Sequence, residues 1–126
     1  MENKQQAEKI NGQVEQPYLN RILVKNSDKN IFVDVSEIRW IECSGNYLKL
    51  HLPEKSYMIR SSLKNLKSKL NPLQFVRIHR SWMVNINEVK EIEPWFSGDS
   101  KVILSDGKTL RMSRNYKDNL EKFTLN

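Results

Sequence analysis

Residues 75–85 read FVRIHRSWMVN. Val76 and Ile78 alternate with Arg77 and His79, which is the period of a half-buried strand. The alternation breaks at Arg80-Ser81 and resumes with Trp82, Val84 and Ile86. Such a break within dense apolar sequence puts arginine, histidine and serine side chains together at one junction. Three uses compete for that junction: a catalytic cluster, a nucleic-acid contact, and an edge strand kept soluble by its charges.

Outward from it the same period recurs. RILVK (21–25), IFVDV (31–35), IRWIEC (38–43), YLKLHL (47–52), YMIR (57–60), VKEIEPW (89–95), KVIL (101–104) and TLRM (109–112) all read as strands. Turn-forming stretches separate most of them, and Asp106-Gly107 between alternating hydrophobics is a strong hairpin signal. Short strands at regular spacing predict an antiparallel, mainly β body. Two short helices interrupt it. SSLKNLKSKL (61–70) carries Leu63, Leu66 and Leu70 on one stripe and is closed by Asn71-Pro72. SRNYKDNLEKF (113–123) has Ser113 as its cap and Tyr116, Leu120 and Phe123 as its packing face.

The chain has 126 residues and a formal charge of +6, a size that suits one domain with an anionic partner. Residues 1–20 hold two lysines and three glutamates, leaving nineteen basic against twelve acidic side chains on 21–126. The basic character therefore belongs to the predicted domain at 21–126, and residues 1–20 read as a polar linker or N-terminal extension. A single cysteine, Cys43, excludes an internal disulfide and multi-cysteine zinc patterns. With no apolar run near the roughly 20 residues of a membrane span and no signal peptide, the expected location is the cytoplasm.

No catalytic constellation emerges. His51 and His79 are far apart in sequence, and the acids fall in turns (Asp28, Glu54, Asp99, Asp106) or alternate along strands (Glu88, Glu91, Glu93), as solvated residues do. No nucleophile elbow, phosphate loop or dinucleotide fingerprint occurs. The chain is expected to be no enzyme and to need no metal or cofactor. Its basic residues say more. Arg60, Arg77, Arg80, Arg111 and Arg114 lie near strand ends beside Ser61, Ser81, Ser113 and Asn115, a mixture of donors suited to a phosphate backbone. Arg114 falls in the first turn of the second helix, where the competing role of solvating a helix end is disfavoured by the positive N-terminal dipole. An arginine held there offers the paired donors that match guanine O6 and N7. Asn46, in CSGNYL, is either a plain turn residue or the tip of a protruding finger. Trp40, Trp82 and Trp95 read as core or rim, and Cys43 as a small buried hydrophobe.

Four blocks in order, IRWIECSGNYLKLHL, YMIRSSLKNLKSKL, FVRIHRSWMVNINEVKEI and VILSDGKTLRMSRNYKDNL, resemble the LytTR DNA-binding domain, an output module of bacterial response regulators. The resemblance covers about residues 21–123. It implies an elongated stack of small antiparallel β-sheets with one or two short α-helices. It also implies duplex DNA read by loops that enter successive major grooves. Carried over residue by residue, base contacts fall to Asn46, Arg80 and Arg114. Backbone contacts fall to Tyr47, Arg60, Arg77, His79, Ser81, Ser113, Asn115 and Lys117, and Asn85 falls to turn structure. The resemblance further implies tandem direct repeats as target, a homodimer on DNA, and a receiver domain upstream in a full-length protein. Two rival readings differ in class. One is a β-rich single-stranded RNA-binding module with Tyr47, Trp82, Trp95 and Phe96 as stacking platforms, and the other is a protein-interaction domain using its strand edges.

Overall fold

The computed structural model describes residues 17–125, so most of the expected linker, residues 1–16, lies outside the described part. Among the described residues, ten strands form three antiparallel sheets. The hairpin of β1 (Arg21–Asn26) and β2 (Lys29–Asp34) stands alone. The middle sheet has five strands in the order β5-β4-β3-β7-β6. These are β3 (Trp40–Ser44), β4 (Tyr47–His51), β5 (Ser56–Arg60), β6 (Phe75–His79) and β7 (Trp82–Asn85). The third sheet, ordered β10-β9-β8, joins β8 (Val89–Pro94), β9 (Ser100–Leu104) and β10 (Thr109–Met112). The mainly β, stacked-sheet expectation agrees with this architecture.

Period-2 alternation explains why the five-stranded sheet becomes the middle layer. Ile41, Leu48, Leu50, Phe75 and Met83 point to one face, where Ile22, Val24 and Val33 of the first hairpin and Val35 just after it close over them together with Leu63, Leu66 and Leu70. Trp40, Val76, Ile78 and Val84 point to the other, against Val102, Leu104, Leu110 and Met112 of the third sheet. Each fully buried side chain of this size stabilises the fold by about 1.5–3 kcal/mol relative to exposure. Asn85, buried where β7 ends, donates from Nδ2 to the Ile38 carbonyl at 2.9 Å and accepts the Asn87 N–H at 3.0 Å. Its expected structural role is thus met by bonds that tie two strand connections together.

The helices differ from expectation in extent and kind. Helix α1 (Leu63–Lys67) is shorter than 61–70, although Ser62 caps it by accepting the Asn65 N–H and all three leucines are buried. Beyond Lys67 the backbone tightens into i→i+3 bonds, Leu66 O accepting from Lys69 N. The second helix runs from Arg114 to Phe123 as 3-10 rather than α. Its tighter winding lets it lie along the free edge of β6. There Ser113 N donates to Ile78 O at 2.9 Å and Asn119 Nδ2 to Arg77 O at 2.8 Å, satisfying carbonyls that an edge strand leaves open. Leu120 and Phe123 pack on the second core, as expected.

The solvated reading of the acids is corrected at two positions: Glu88 is partly buried against the largely buried Arg39, 2.9 Å away, and Asp99 is only 8 % exposed. Asp106 is exposed as expected and also holds Arg39, at 2.7 Å. At the N-terminal boundary, Leu19 N bonds Lys69 O and Asn20 O accepts from Val35 N, both at 2.9 Å.

Candidate nucleic-acid interface

Strand direction alone gathers the basic residues at one end. Glu42 pairs with Trp82 and Cys43 N bonds Ser81 O at 2.7 Å, so the β3–β4 turn (Gly45-Asn46) and the β6–β7 turn (Arg80-Ser81) emerge side by side. Tyr47 opposes Arg60 across β4 and β5, which brings Arg60 and Ser61 to the same end. In the third sheet Ser100 opposes both Pro94 and Met112, and Ser113 is bonded to Ile78. Arg114 and the β8–β9 connection therefore join the group. With strands about 4.8 Å apart, the two turns lie roughly 10 Å from each other along the sheet, and Arg114 sits beyond β6 on the far side.

The Arg80-Ser81 turn is held from within. A register shift between Arg77 and His79 bulges β6 at Ile78, whose side chain is wholly buried, and this shift produces the break in alternation seen in the sequence. Arg77 donates from Nε to His79 O at 3.1 Å and from Nη2 to Arg80 O, and its guanidinium lies 5.9 Å from the centre of the Tyr116 ring. Arg77, which sequence reading expects to meet phosphate, turns two of its donors, Nε and Nη2, onto the loop's own carbonyls. His79 accepts the Ser81 N–H at Nδ1, 3.0 Å away, and stacks on Trp82 with ring centres 3.8 Å apart. Burial, then the neighbouring Arg111 and Arg80, push the His79 pKa below its ordinary value, which keeps Nδ1 available as acceptor. The Arg80 side chain is exposed at the turn.

Arg114 has a different support. Asp99 accepts its backbone N–H at 2.9 Å and the Nε–H of Arg111 at 2.7 Å. Those two hydrogen bonds, the Arg114 amide first, lower the Asp99 pKa. Gly98 lies so near the Arg114 stem that a Cβ there would come within 3.4 Å of Cδ. The carbonyl of Ser97 is 3.5 Å from Nη1. Ser113 caps the turn by accepting the Asn115 N–H at 3.3 Å, and Asn115 and Lys117 are exposed beside it. Asp99 is the residue that sequence reading misses. Its position before a strand, fifteen residues from Arg114, carries no local pattern.

The Gly45-Asn46 turn has the least support. Gly45 adopts φ +62°, and a Cβ added there would meet nothing within 4 Å. Asn46 is exposed, and Tyr47 beside it lies under Arg60, 5.8 Å from guanidinium to ring centre. Asn46, Arg60 and Ser61 line one shallow depression with Ser62 and Asn65.

Among the described residues, no helix is long and apolar enough to cross a membrane. Residues 28–124 match the family model of the LytTr DNA-binding domain. The chain is 28% identical over 103 residues to the sensory transduction protein LytT of Bacillus subtilis, covering 82% of this chain and 43% of that protein. It is 31% identical over 94 residues to LytT of Oceanobacillus iheyensis, covering 74% and 38%. Against the transcriptional regulatory protein LytR of Staphylococcus aureus, identity is 29% over 93 residues, covering 74% and 38%. The chain thus spans about two fifths of the length of these curated relatives. A solved LytTr DNA-binding domain from Bacillus cereus superposes with a TM-score of 0.74 at 24% identity, over 82% of this chain and 95% of that one, which establishes the shared fold.

Proposed function

Because the chain belongs to the LytTr DNA-binding domain family, we propose that it binds double-stranded DNA sequence-specifically and serves as the output module of a transcription regulator, without catalytic activity of its own. One observation carries this reading: three basic or amide-bearing loops from two different sheets converge on one end of the molecule. Arg80 and Arg114 read bases from supports that lower the entropy lost on docking. Asn46 contributes a third base contact. Arg60, Ser81, Ser113, Asn115 and Lys117 meet phosphates around them, with Tyr47 and His79 at the margins, and Arg77 acts by shaping the Arg80 turn. With strands about 4.8 Å apart, a row that runs from Asn46 past Arg80 to Arg114 beyond the edge strand is wide for the roughly 12 Å of one major groove, which favours insertion into successive grooves.

Residues 21–126 form the DNA-reading domain and residues 1–20 a connection to a receiver domain in a longer, cytoplasmic regulator. Two copies occupy tandem direct repeats as a homodimer on DNA. Selection from a random duplex library at about 0.15 M salt, where non-specific binding is micromolar or weaker, tests the proposal. A short motif is expected, and Arg80→Ala or Arg114→Ala costs about 1–3 kcal/mol, with discrimination lost at one base pair each. If about five phosphates are neutralised, the log–log salt slope is roughly −4 to −5. A library that returns only salt-sensitive background binding overturns the reading.

A further inference from the structure

The β8–β9 connection, Trp95–Asp99, has no part in the contacts assigned above, yet it presents a phenylalanine that is 78 % exposed. Its backbone is fixed. Trp95 N donates to Asp99 O and Asp99 N to Phe96 O, each at 2.9 Å, and Ser97 and Gly98 take left-handed φ of 57° and 84°. A non-glycine residue in that region is uncommon. Here it lets the chain reverse within a few residues while Phe96 stays exposed. The same loop touches Arg114 through Gly98 and the Ser97 carbonyl, so Phe96 and Arg114 share one mount.

We propose that Phe96 is a further DNA-contacting residue, an apolar probe that meets a thymine methyl beside the base pair read by Arg114. The inference rests on the DNA-reading function proposed above. The surroundings select the partner. Lys101 and Arg114 flank the loop, and the one acid within it, Asp99, is already paired with Arg111, so a polyanion is attracted and a second copy of this basic end is repelled. Within the major groove the apolar feature open to a side chain is the C5-methyl of thymine. A rigidly presented aromatic gains that contact with little further ordering.

The test uses the full chain and the duplex motif recovered by selection, with each thymine replaced in turn by deoxyuridine, which removes only the methyl. One thymine within two base pairs of the Arg114-dependent position is expected to matter. Its replacement weakens wild-type binding about fourfold, as burial of one methyl group predicts. The same replacement leaves Phe96→Ala unchanged, Phe96→Ala itself binds the thymine site about fourfold more weakly, and Phe96→Leu retains most of the contact. Because Phe96 is exposed, matched melting temperatures are expected and separate binding from folding. An equal deoxyuridine penalty in wild type and Phe96→Ala overturns the inference. So does a motif with no thymine near the Arg114-dependent pair, or a Phe96→Ala loss that no thymine accounts for. In those cases Arg114-dependent readout still stands. Failure to recover any motif takes down the DNA-reading function and this contact together.

Discussion

The turns at Gly45-Asn46 and Arg80-Ser81 leave the same sheet at the same end, yet they are built differently. The first has one positive-φ glycine, open space around it and an exposed asparagine. The second is gripped by Arg77, by the His79 ring on Trp82, and by a buried isoleucine at a bulge. Arg114 resembles the second, with Asp99 and Gly98 in place of Arg77 and His79. The lesson is a division of labour between contacts. An arginine has a long, rotamer-rich side chain, and fixing the backbone beneath it limits the entropy that docking must overcome. Asparagine is short and needs less support.

The largest expected difference comes from removing each turn's own polar side chain. Arg77→Ala takes two charged-donor bonds from the loop carbonyls, costing about 1.5–3 kcal/mol in stability, with weaker DNA binding and faster hydrogen exchange at the Ser81 amide. Asn46→Ala touches nothing in the fold and shifts stability by less than about 0.5 kcal/mol, so its effect is confined to affinity. Chemical denaturation and titration of both variants check the contrast. Equal stability losses would break the distinction between a braced and a bare turn.

Two glycines sharpen it further. Gly45→Ala and Gly98→Ala both force alanine into left-handed backbone, and each costs about 1–2 kcal/mol of stability. Only at Gly98 does the new methyl land against Arg114, 3.4 Å from its Cδ. That contact is an ordinary one, so it is the backbone strain at φ 84° beside the Arg114 stem by which Gly98→Ala blurs discrimination at the base pair read by Arg114, whereas Gly45→Ala leaves that position intact. Base-by-base competition binding distinguishes them.

The fold is legible in the sequence because alternation is a local signal. Leu48 and Leu50, Val76 and Ile78, Val102 and Leu104 all sit on the faces their spacing demands, and the Asp106-Gly107 turn forms with Gly107 at φ 92°. The kind of the last helix is not legible. Its i→i+3 winding answers to carbonyls of Arg77 and Ile78 that lie more than thirty residues upstream, and amphipathic spacing is blind to them. Charged residues mislead for the same reason. Asp99 and Asp106 look like loop acids in sequence, but each neutralises an arginine brought in by tertiary pairing. Arg77 looks like a free cation, yet two of its donors are turned onto the loop behind it. Position of a charge along a strand says which end it reaches, and says nothing of what it meets there.

The smallest expected effect is a pH dependence carried by the braced turn. The folded-state pKa of His79 lies below the unfolded value of about 6.5, so between the two values the unfolded chain binds more protons. Stability from this residue is complete above about pH 6.5 and is lost as pH falls through the folded pKa. The physical event is loss of the Nδ1 lone pair that holds the Ser81 amide, with Arg77, Arg80 and Arg111 opposing the new charge and Asp99 tempering it. Solvent screening at this partly open site keeps the effect modest. His51, stacked on Trp40 and bonded to Glu42 at 2.7 Å, is lowered chiefly by burial and titrates in the same direction, so wild type alone cannot apportion the slope. His79→Asn keeps an acceptor near Ser81 and does not titrate. Its melting temperature, followed from pH 7.5 to 5, falls less steeply than that of wild type, with the residual slope due to His51. Parallel slopes would mean that the imidazole contributes packing on Trp82 alone, and that the Arg80 turn is held by Arg77 and the bulge without it.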